Sequence, residues 1–104
     1  MAMMKKKVYW VYILYCENGN YYTGYTINLS ERYAHHLCGK GSRYTRSFKP
    51  VEISQSWKII GDKSLAMKLE YFIKKLSRIK KEILIQYPHY LLPEYYKYIS
   101  KKNG

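Results

Sequence analysis

A chain of 104 residues with 47% hydrophobic content is long enough for one domain with its own core and too short for two. Lysine and arginine number 19 against 7 aspartate and glutamate, and a net charge of +12 calls for a polyanion partner. Nucleic acid ranks ahead of a membrane surface, because the basic residues do not gather on one long amphipathic helix. Cys16 and Cys38 follow no metal-ligand spacing, and no N-terminal run is apolar enough for a signal peptide or a membrane span. The expected setting is therefore the reducing cytoplasm, with both thiols free.

After a basic lead-in at Lys5–Lys7, the β-rich run Val8–Cys16 predicts a strand, Glu17–Asn20 a turn and Tyr21–Thr26 a second strand. If Asn18 and Gly19 are the two central residues of a tight turn, cross-strand partners sum to 37, which sets Tyr15 opposite Tyr22 and Tyr12 opposite Tyr25, on opposite faces. A longer loop with a bulge would break that register. Asn28, with Glu31 three residues on, reads as the N-cap of a helix over about Leu29–Leu37 that stops near Gly39. Leu29, Tyr33 and Leu37 form its apolar stripe, and Arg32 and His36 share the face beside it.

The stretch "GKGSRYTRSFKP", residues 39–50, is too rich in Gly, Lys and Arg to pack inside and reads as a basic loop ended by Pro50. Val51, Ile53, Gln55, Trp57 and Ile59 alternate with mostly polar partners, which predicts a third strand over 51–60, covered mainly on one face. Gly61 and Asp62 turn the chain. Leu65, Leu69, Phe72, Ile73 and Leu76 recur at helical spacing over about Lys63–Lys75, and a second helix follows over about Ser77–Gln86 with Ser77 as cap or bend. Residues 87–104, "YPHYLLPEYYKYISKKNG", predict an extended turn and a short helix from Pro93, packing back on the domain in preference to stacking on unpaired bases. The expected fold is a small α/β sandwich with a three-stranded, mainly antiparallel sheet, in the order β-β-α-β-α-α.

Three features suggest chemistry. Arg32 and His36 aim a cation and an imidazole together, although an isolated pair of this kind is ordinarily a solvated face. Gly24 lacks a side chain just after Tyr22, where a ligand or another backbone can come close. Glu70 falls at the border of the stripe made by Leu65, Ala66, Leu69 and Ile73, which holds a carboxylate half-buried. An ion pair to Lys74 and a hard-cation ligand in a phosphate-binding groove are its two readings.

Taken in order, "WVY" at 10–12, "YTG" at 22–24, "INLSERYAHH" at 27–36, "GKGSRYTR" at 39–46 and "LAMKLEYFIKKL" at 65–76 resemble the GIY-YIG nuclease superfamily. The likeness is to its small stand-alone bacterial members, and to the N-terminal nuclease domain of the excision repair endonuclease. It spans about residues 8–86 of a single domain over 1–104, leaving 87–104 as a C-terminal extension. The resemblance implies a metal-dependent endonuclease that hydrolyses DNA by a one-metal mechanism, structure-selective in repair or recombination. It gives Tyr12 the role of general base and sets Tyr22 against the attacking water or the phosphate. Arg32 would offset the developing charge, and His36 would contact the scissile phosphate or relay a proton. Gly24 is the motif glycine, and Glu70 would hold the single Mg²⁺ or Mn²⁺. Lys40, Arg43 and Arg46, with Lys74 and Lys75, are the expected contacts to backbone phosphates of DNA, RNA remaining the other candidate strand.

Trp10 stands where the family's first motif opens with glycine, and Thr23 in the middle of the second. Tyr25 occupies a place where other branches carry Lys or His. Some relatives use an Asn downstream of the glutamate; the nearest amide here is Gln86. Because the chain has no room for an attached binding domain, the two expectations are a weak, structure-selective nuclease and one that depends on a partner protein for specificity. The alternative is a nucleic-acid-binding module that keeps the fold and charge with little or no turnover.

Overall fold

The structure, a computed structural model, describes residues 7–103; Lys5 and Lys6 of the basic lead-in lie outside the described residues. Strands β1 (Lys7–Cys16), β2 (Tyr21–Thr26) and β3 (Pro50–Gly61) form one antiparallel sheet in the order β2-β1-β3. Among the described residues five helices accompany it: α1 (Leu29–Leu37), α2 (Arg43–Ser47), α3 (Lys63–Lys74), α4 (Arg78–Gln86) and α5 (Leu91–Asn103), the last entered through a 3₁₀ turn at Pro88–Tyr90. The expected order stands, with α2 and α5 added to it. No helix among the described residues is long and apolar enough to cross a membrane.

Central β1 is covered on both faces, and so its sequence is buried almost without interruption from Tyr9 to Cys16. One face sends Tyr9, Val11 and Ile13 against Ala66, Leu69, Phe72 and Ile73 of α3, Leu84 of α4, and Leu91 and Tyr95 of α5. Full burial of Leu69 or Ile73 contributes roughly 1.5–3 kcal/mol each. The other face sends Tyr12, Leu14 and Cys16 against a smaller cluster containing Tyr22, Leu29, Tyr33, Tyr44 and Ile53.

The hairpin corrects the expected register. Cys16 N donates to Asn20 O at 2.9 Å and Gly19 N to Cys16 O at 2.8 Å, with Gly19 at φ 82, so three residues rather than two form the loop. Partners then sum to 36: Tyr12 faces Gly24, Leu14 faces Tyr22 and Tyr15 faces Tyr21. That one-residue slip puts Tyr22 on the face of Tyr12 and sends Tyr25 to the opposite face, into the larger core.

Strand β3 also departs from a single covered face. Its pairing skips Ser54, between Gln55 opposite Ile13 and Ile53 opposite Leu14. This bulge moves Ile53 to the Tyr12 face, while Trp57 and Ile59 stay with the larger core. A second shift near Pro50 leaves Val51 60% exposed, against its expected place in the covered row. Pro50 begins β3 rather than ending a loop, which suits the first residue of an edge strand.

Local chemistry accounts for most helix ends. Asn28 Oδ1 accepts from Glu31 N at 3.1 Å, a cap of about 1 kcal/mol, and Ser77 Oγ accepts from Lys80 N at 3.3 Å to start α4. Leu37 is 42% exposed and drops out of the expected stripe, because α1 ends there and its inward side is taken by His36. Within the basic loop, Ser42 caps the short α2 by accepting from Thr45 N at 3.1 Å, and Thr45 is fully buried. The expectation that this stretch stays outside fails there: a hydroxyl is buried by hydrogen bonding, not by an apolar pattern. Helix α5 begins before Pro93, which fits in its first turn because that N–H has no helical partner to lose.

Candidate active site

The corrected register assembles the site. Tyr12 from β1 and Tyr22 and Gly24 from β2 share one face, and α1 crosses it with Arg32 and His36 one turn apart. Tyr12 Oη lies 2.9 Å from His36 Nε2, and His36 Nδ1 lies 2.7 Å from Thr45 Oγ1, all three residues being buried. Thr45 Oγ1 donates to the carbonyl of Ser42 at 3.2 Å. A carbonyl only accepts; with the Thr45 proton on it, and Ser42 Oγ at 3.1 Å as a further partner, the Thr45 oxygen accepts from His36 Nδ1–H. In that arrangement His36 is the Nδ1–H tautomer, and Nε2 accepts the hydroxyl proton of Tyr12. The resulting chain runs Tyr12 to His36 to Thr45 to Ser42.

Electrostatics keeps both ring systems neutral at physiological pH. Burial pushes the Tyr12 phenol up to about 12, a shift opposed by the neighbouring Arg32 and reinforced by Tyr22 and Glu70. Burial, then the charges of Arg32 and His35, hold the His36 imidazole down at about 4. Arg32 therefore lies close enough to bias both groups.

Two glycines permit the packing. A Cβ on Gly24 would lie 2.6 Å from Tyr12 Cζ, closer than real Cβ atoms come. A Cβ on Gly41 would strike His36 Nδ1 and lie 2.9 Å from its Cα, so the loop before α2 closes directly onto α1. From His36 an aromatic row leads outward: Tyr22 at 5.3 Å between ring centroids, Tyr44 stacked on Tyr22 at 5.9 Å, and Phe48 at 5.3 Å from Tyr44.

Glu70 is half-buried, pairs with Lys74 at 2.9 Å, and lies near enough for its charge to raise the Tyr12 pKa. Lys75 sits over the Tyr71 ring at 4.8 Å. Lys40, Arg43 and Arg46 are exposed around α2 and form no ion pair among the described residues. Among those residues no three His, Cys, Asp or Glu side chains gather for a metal. A hard divalent ion that takes most of its oxygens from water and substrate phosphates needs only one or two carboxylates, and Glu70 fits that lesser demand once Lys74 swings away.

Thr45, Gly41 and Tyr44 were not singled out by the sequence. The signal available for Thr45 was Ser42 three residues ahead, a cap pattern hidden in a basic stretch. Thr45→Val keeps the shape and removes the oxygen, so His36 Nδ1–H loses its acceptor at an expected cost of about 1–3 kcal/mol in urea unfolding. The His36 tautomer should shift with it, as read from imidazole ¹⁵N chemical shifts, and Thr45→Ser should restore both. Unchanged shifts in the valine variant would refute the assignment.

The ordered set of Tyr12, Tyr22, Gly24, Arg32, His36 and Glu70 falls within residues 8–82, and a family model described as the GIY-YIG catalytic domain matches that span. The chain belongs to the GIY-YIG family. Its fold is therefore of nuclease type, in a family that generally uses divalent metal ions and acts on DNA. GIY-YIG relatives include the UPF0213 protein BH0048 of Halalkalibacterium halodurans, 44% identical over 77 residues that cover 74% of this chain and 81% of the relative. The UPF0213 protein VNG_2274C of Halobacterium salinarum is 46% identical over 74 residues, covering 71% of this chain and 95% of the relative. Among solved structures, the solution NMR structure of the UPF0213 protein BH0048 from Bacillus halodurans shares 43% identity, covers 76% of this chain and 83% of its own, and superposes with a TM-score of 0.49.

Proposed function

We propose that the chain is a divalent-metal-dependent endonuclease that hydrolyses DNA phosphodiester bonds with a single bound ion, and that residues 1–104 form one such domain. The observation that supports this best is the buried Tyr12 hydroxyl held 2.9 Å from a neutral His36. A phenol donating to an imidazole spends only its proton there; Arg32 hydrogen-bonds toward the same oxygen, and a lone pair is left to receive a proton. Burial of this kind costs stability unless the polar atoms are satisfied, as every buried side-chain N and O among the described residues is.

In this reading Tyr12 takes a proton from the attacking water while passing its own to His36 Nε2. The step avoids free tyrosinate: with a pKa of about 12, only about one part in 10⁵ of Tyr12 is ionised at pH 7. A substrate phosphate arriving at Arg32 cancels the larger of the two charges that depress His36, which makes the imidazole a better acceptor at that moment. With both ring nitrogens engaged and no exposed surface, His36 acts through Tyr12 rather than on the phosphate. Tyr22, half-buried beside His36, would orient the water or a phosphate oxygen, and Arg32 would offset charge developing on the phosphorane. Glu70 would hold Mg²⁺ or Mn²⁺. Such an ion, when bound, neutralises phosphate charge and stabilises the leaving oxygen. Lys40, Arg43 and Arg46, joined by Lys75 and a released Lys74, would take the flanking backbone.

The test is cleavage of labelled duplex, nicked, flap, branched and single-stranded DNAs with Mg²⁺ or Mn²⁺, by the natural protein, Glu70→Ala and Arg32→Ala. Cutting of at least one substrate shape, lost in both variants while DNA binding persists, is the expected result. Absence of cutting on every substrate, with equal binding by all three proteins, would leave a nucleic-acid-binding module in place of the enzyme.

A further inference from the structure

On the outer side of the hairpin, its loop is docked to α4. Tyr21 Oη donates to Glu82 at 3.0 Å, and Arg78 donates to the Gly19 carbonyl at 2.7 Å. The Arg78 guanidinium lies 5.0 Å from the Tyr21 ring centroid and 3.7 Å from Glu82. Beside this joint lies a cavity of about 260 Å³ lined by Asn20, Tyr21, Tyr44, Arg78 and Lys81.

Its lining is built of donors. Lys81 is half-buried and has no carboxylate partner among the described residues; burial lowers its pKa and no acid offsets that. Tyr44 Oη accepts from Asn18 Nδ2 at 2.9 Å, which leaves its own O–H to donate. The Asn20 side-chain amide forms no hydrogen bond among the described residues, and Arg78 retains guanidinium N–H groups beyond the one on Gly19. No carboxylate lines the cavity, Glu82 being engaged by Tyr21 and Arg78.

The rings decide what kind of anion fits. Tyr44 has Tyr22 against it on one contact and Phe48 on another, and Tyr21 is covered by Tyr15 and Arg78. Those contacts leave little aromatic face for a base to stack on. A small, oxygen-rich anion matches both the volume and the donor set. The cavity also lies one ring beyond the site, since Tyr44 stacks on Tyr22 and Tyr22 packs on His36 at 5.9 and 5.3 Å.

We propose that this cavity is a phosphate cradle that holds a backbone phosphate flanking the one presented to Tyr12, with Lys81, Arg78, Tyr44 and Asn20 as its donors. The inference rests on the nucleic-acid reading above, and it does not require turnover. It predicts a contact outside the basic residues of α2 and α3.

The experiment is fluorescence anisotropy of a short labelled single-stranded DNA in EDTA over a range of NaCl concentrations. Lys81→Gln should flatten the slope of log K against log[NaCl] by about 0.7, the value for one phosphate contact on a single strand. Lys81→Arg should restore the slope, and Lys101→Gln, which removes one charge from α5, should leave it unchanged. The Asn20 side-chain amide should shift in ¹⁵N spectra on adding this DNA, and should stay in place with an uncharged methylphosphonate strand. A slope for Lys81→Gln no flatter than that for Lys101→Gln would overturn the cradle. Because divalent ions are excluded, a flattened slope in a protein that cuts nothing would uphold the cradle while removing the nuclease.

Discussion

Tyr12→Phe is expected to slow DNA cleavage by about 10³-fold while leaving DNA binding intact, since general acid–base groups contribute about 10²–10⁴-fold. The phenylalanine ring fills the same space and deletes only the hydroxyl that meets His36 Nε2 at 2.9 Å. The stranded acceptor on a fully buried ring should cost about 1–3 kcal/mol in stability. A folded, DNA-binding variant with natural cleavage rates would remove Tyr12 from the chemistry.

The same chain of groups fixes the pH dependence. Proton relay needs Tyr12 protonated and His36 neutral, and those states hold together between the His36 value of about 4 and the Tyr12 value of about 12. At saturating Mg²⁺, kcat/KM should therefore change by less than about threefold from pH 6 to pH 9. A base that must ionise first behaves otherwise. Free tyrosinate as the reactive species would make the rate climb about tenfold per pH unit across that range, and such a climb would refute the relay.

How much of this was legible in the sequence depended on whether a signal was local. The Asn28–Glu31 cap, the Ser77 cap and the apolar stripe of α3 each report on the residues that carry them, and they were readable. The hairpin was readable as a hairpin, but its register was not. Asn18-Gly19 serves equally in a two-residue turn and in a three-residue loop with Gly19 left-handed, and the two differ by one residue in pairing. That single residue decides whether Tyr22 faces Tyr12. Bulges in β3 were hidden for a related reason: Ile53 looks alike on either face of a sheet that is covered on both.

The candidate site shows the same division. Arg32 and His36 were paired by helical spacing, and Glu70 was placed at the edge of its stripe. Thr45 could not be found that way, because its burial follows from a hydrogen bond to a residue nine positions earlier and has no period. The cradle was likewise out of reach, since it joins the hairpin, α2 and α4 through side chains up to 61 positions apart.

Gly24→Ala is the substitution expected to damage both fold and site most from the smallest chemical change. Its Cβ would fall 2.6 Å from Tyr12 Cζ and 3.1 Å from Cε2. Neither side can yield freely: Gly24 is paired directly across from Tyr12 in the sheet, and the Tyr12 ring is 1% exposed and tied to His36. Overpacking of this kind costs about 1–3 kcal/mol, and forcing the ring aside also breaks the Tyr12–His36 bond for about another 1 kcal/mol. Urea unfolding should therefore show a loss of about 2–4 kcal/mol, and cleavage should fall at least about 10²-fold because the hydroxyl leaves its acceptor. A double-mutant cycle separates this contact from a general weakening of β2. In a Tyr12→Leu background the shorter side chain no longer reaches the new methyl, and Gly24→Ala should cost less than about 1 kcal/mol. Equal costs in the two backgrounds would show that the glycine serves the strand and not the tyrosine.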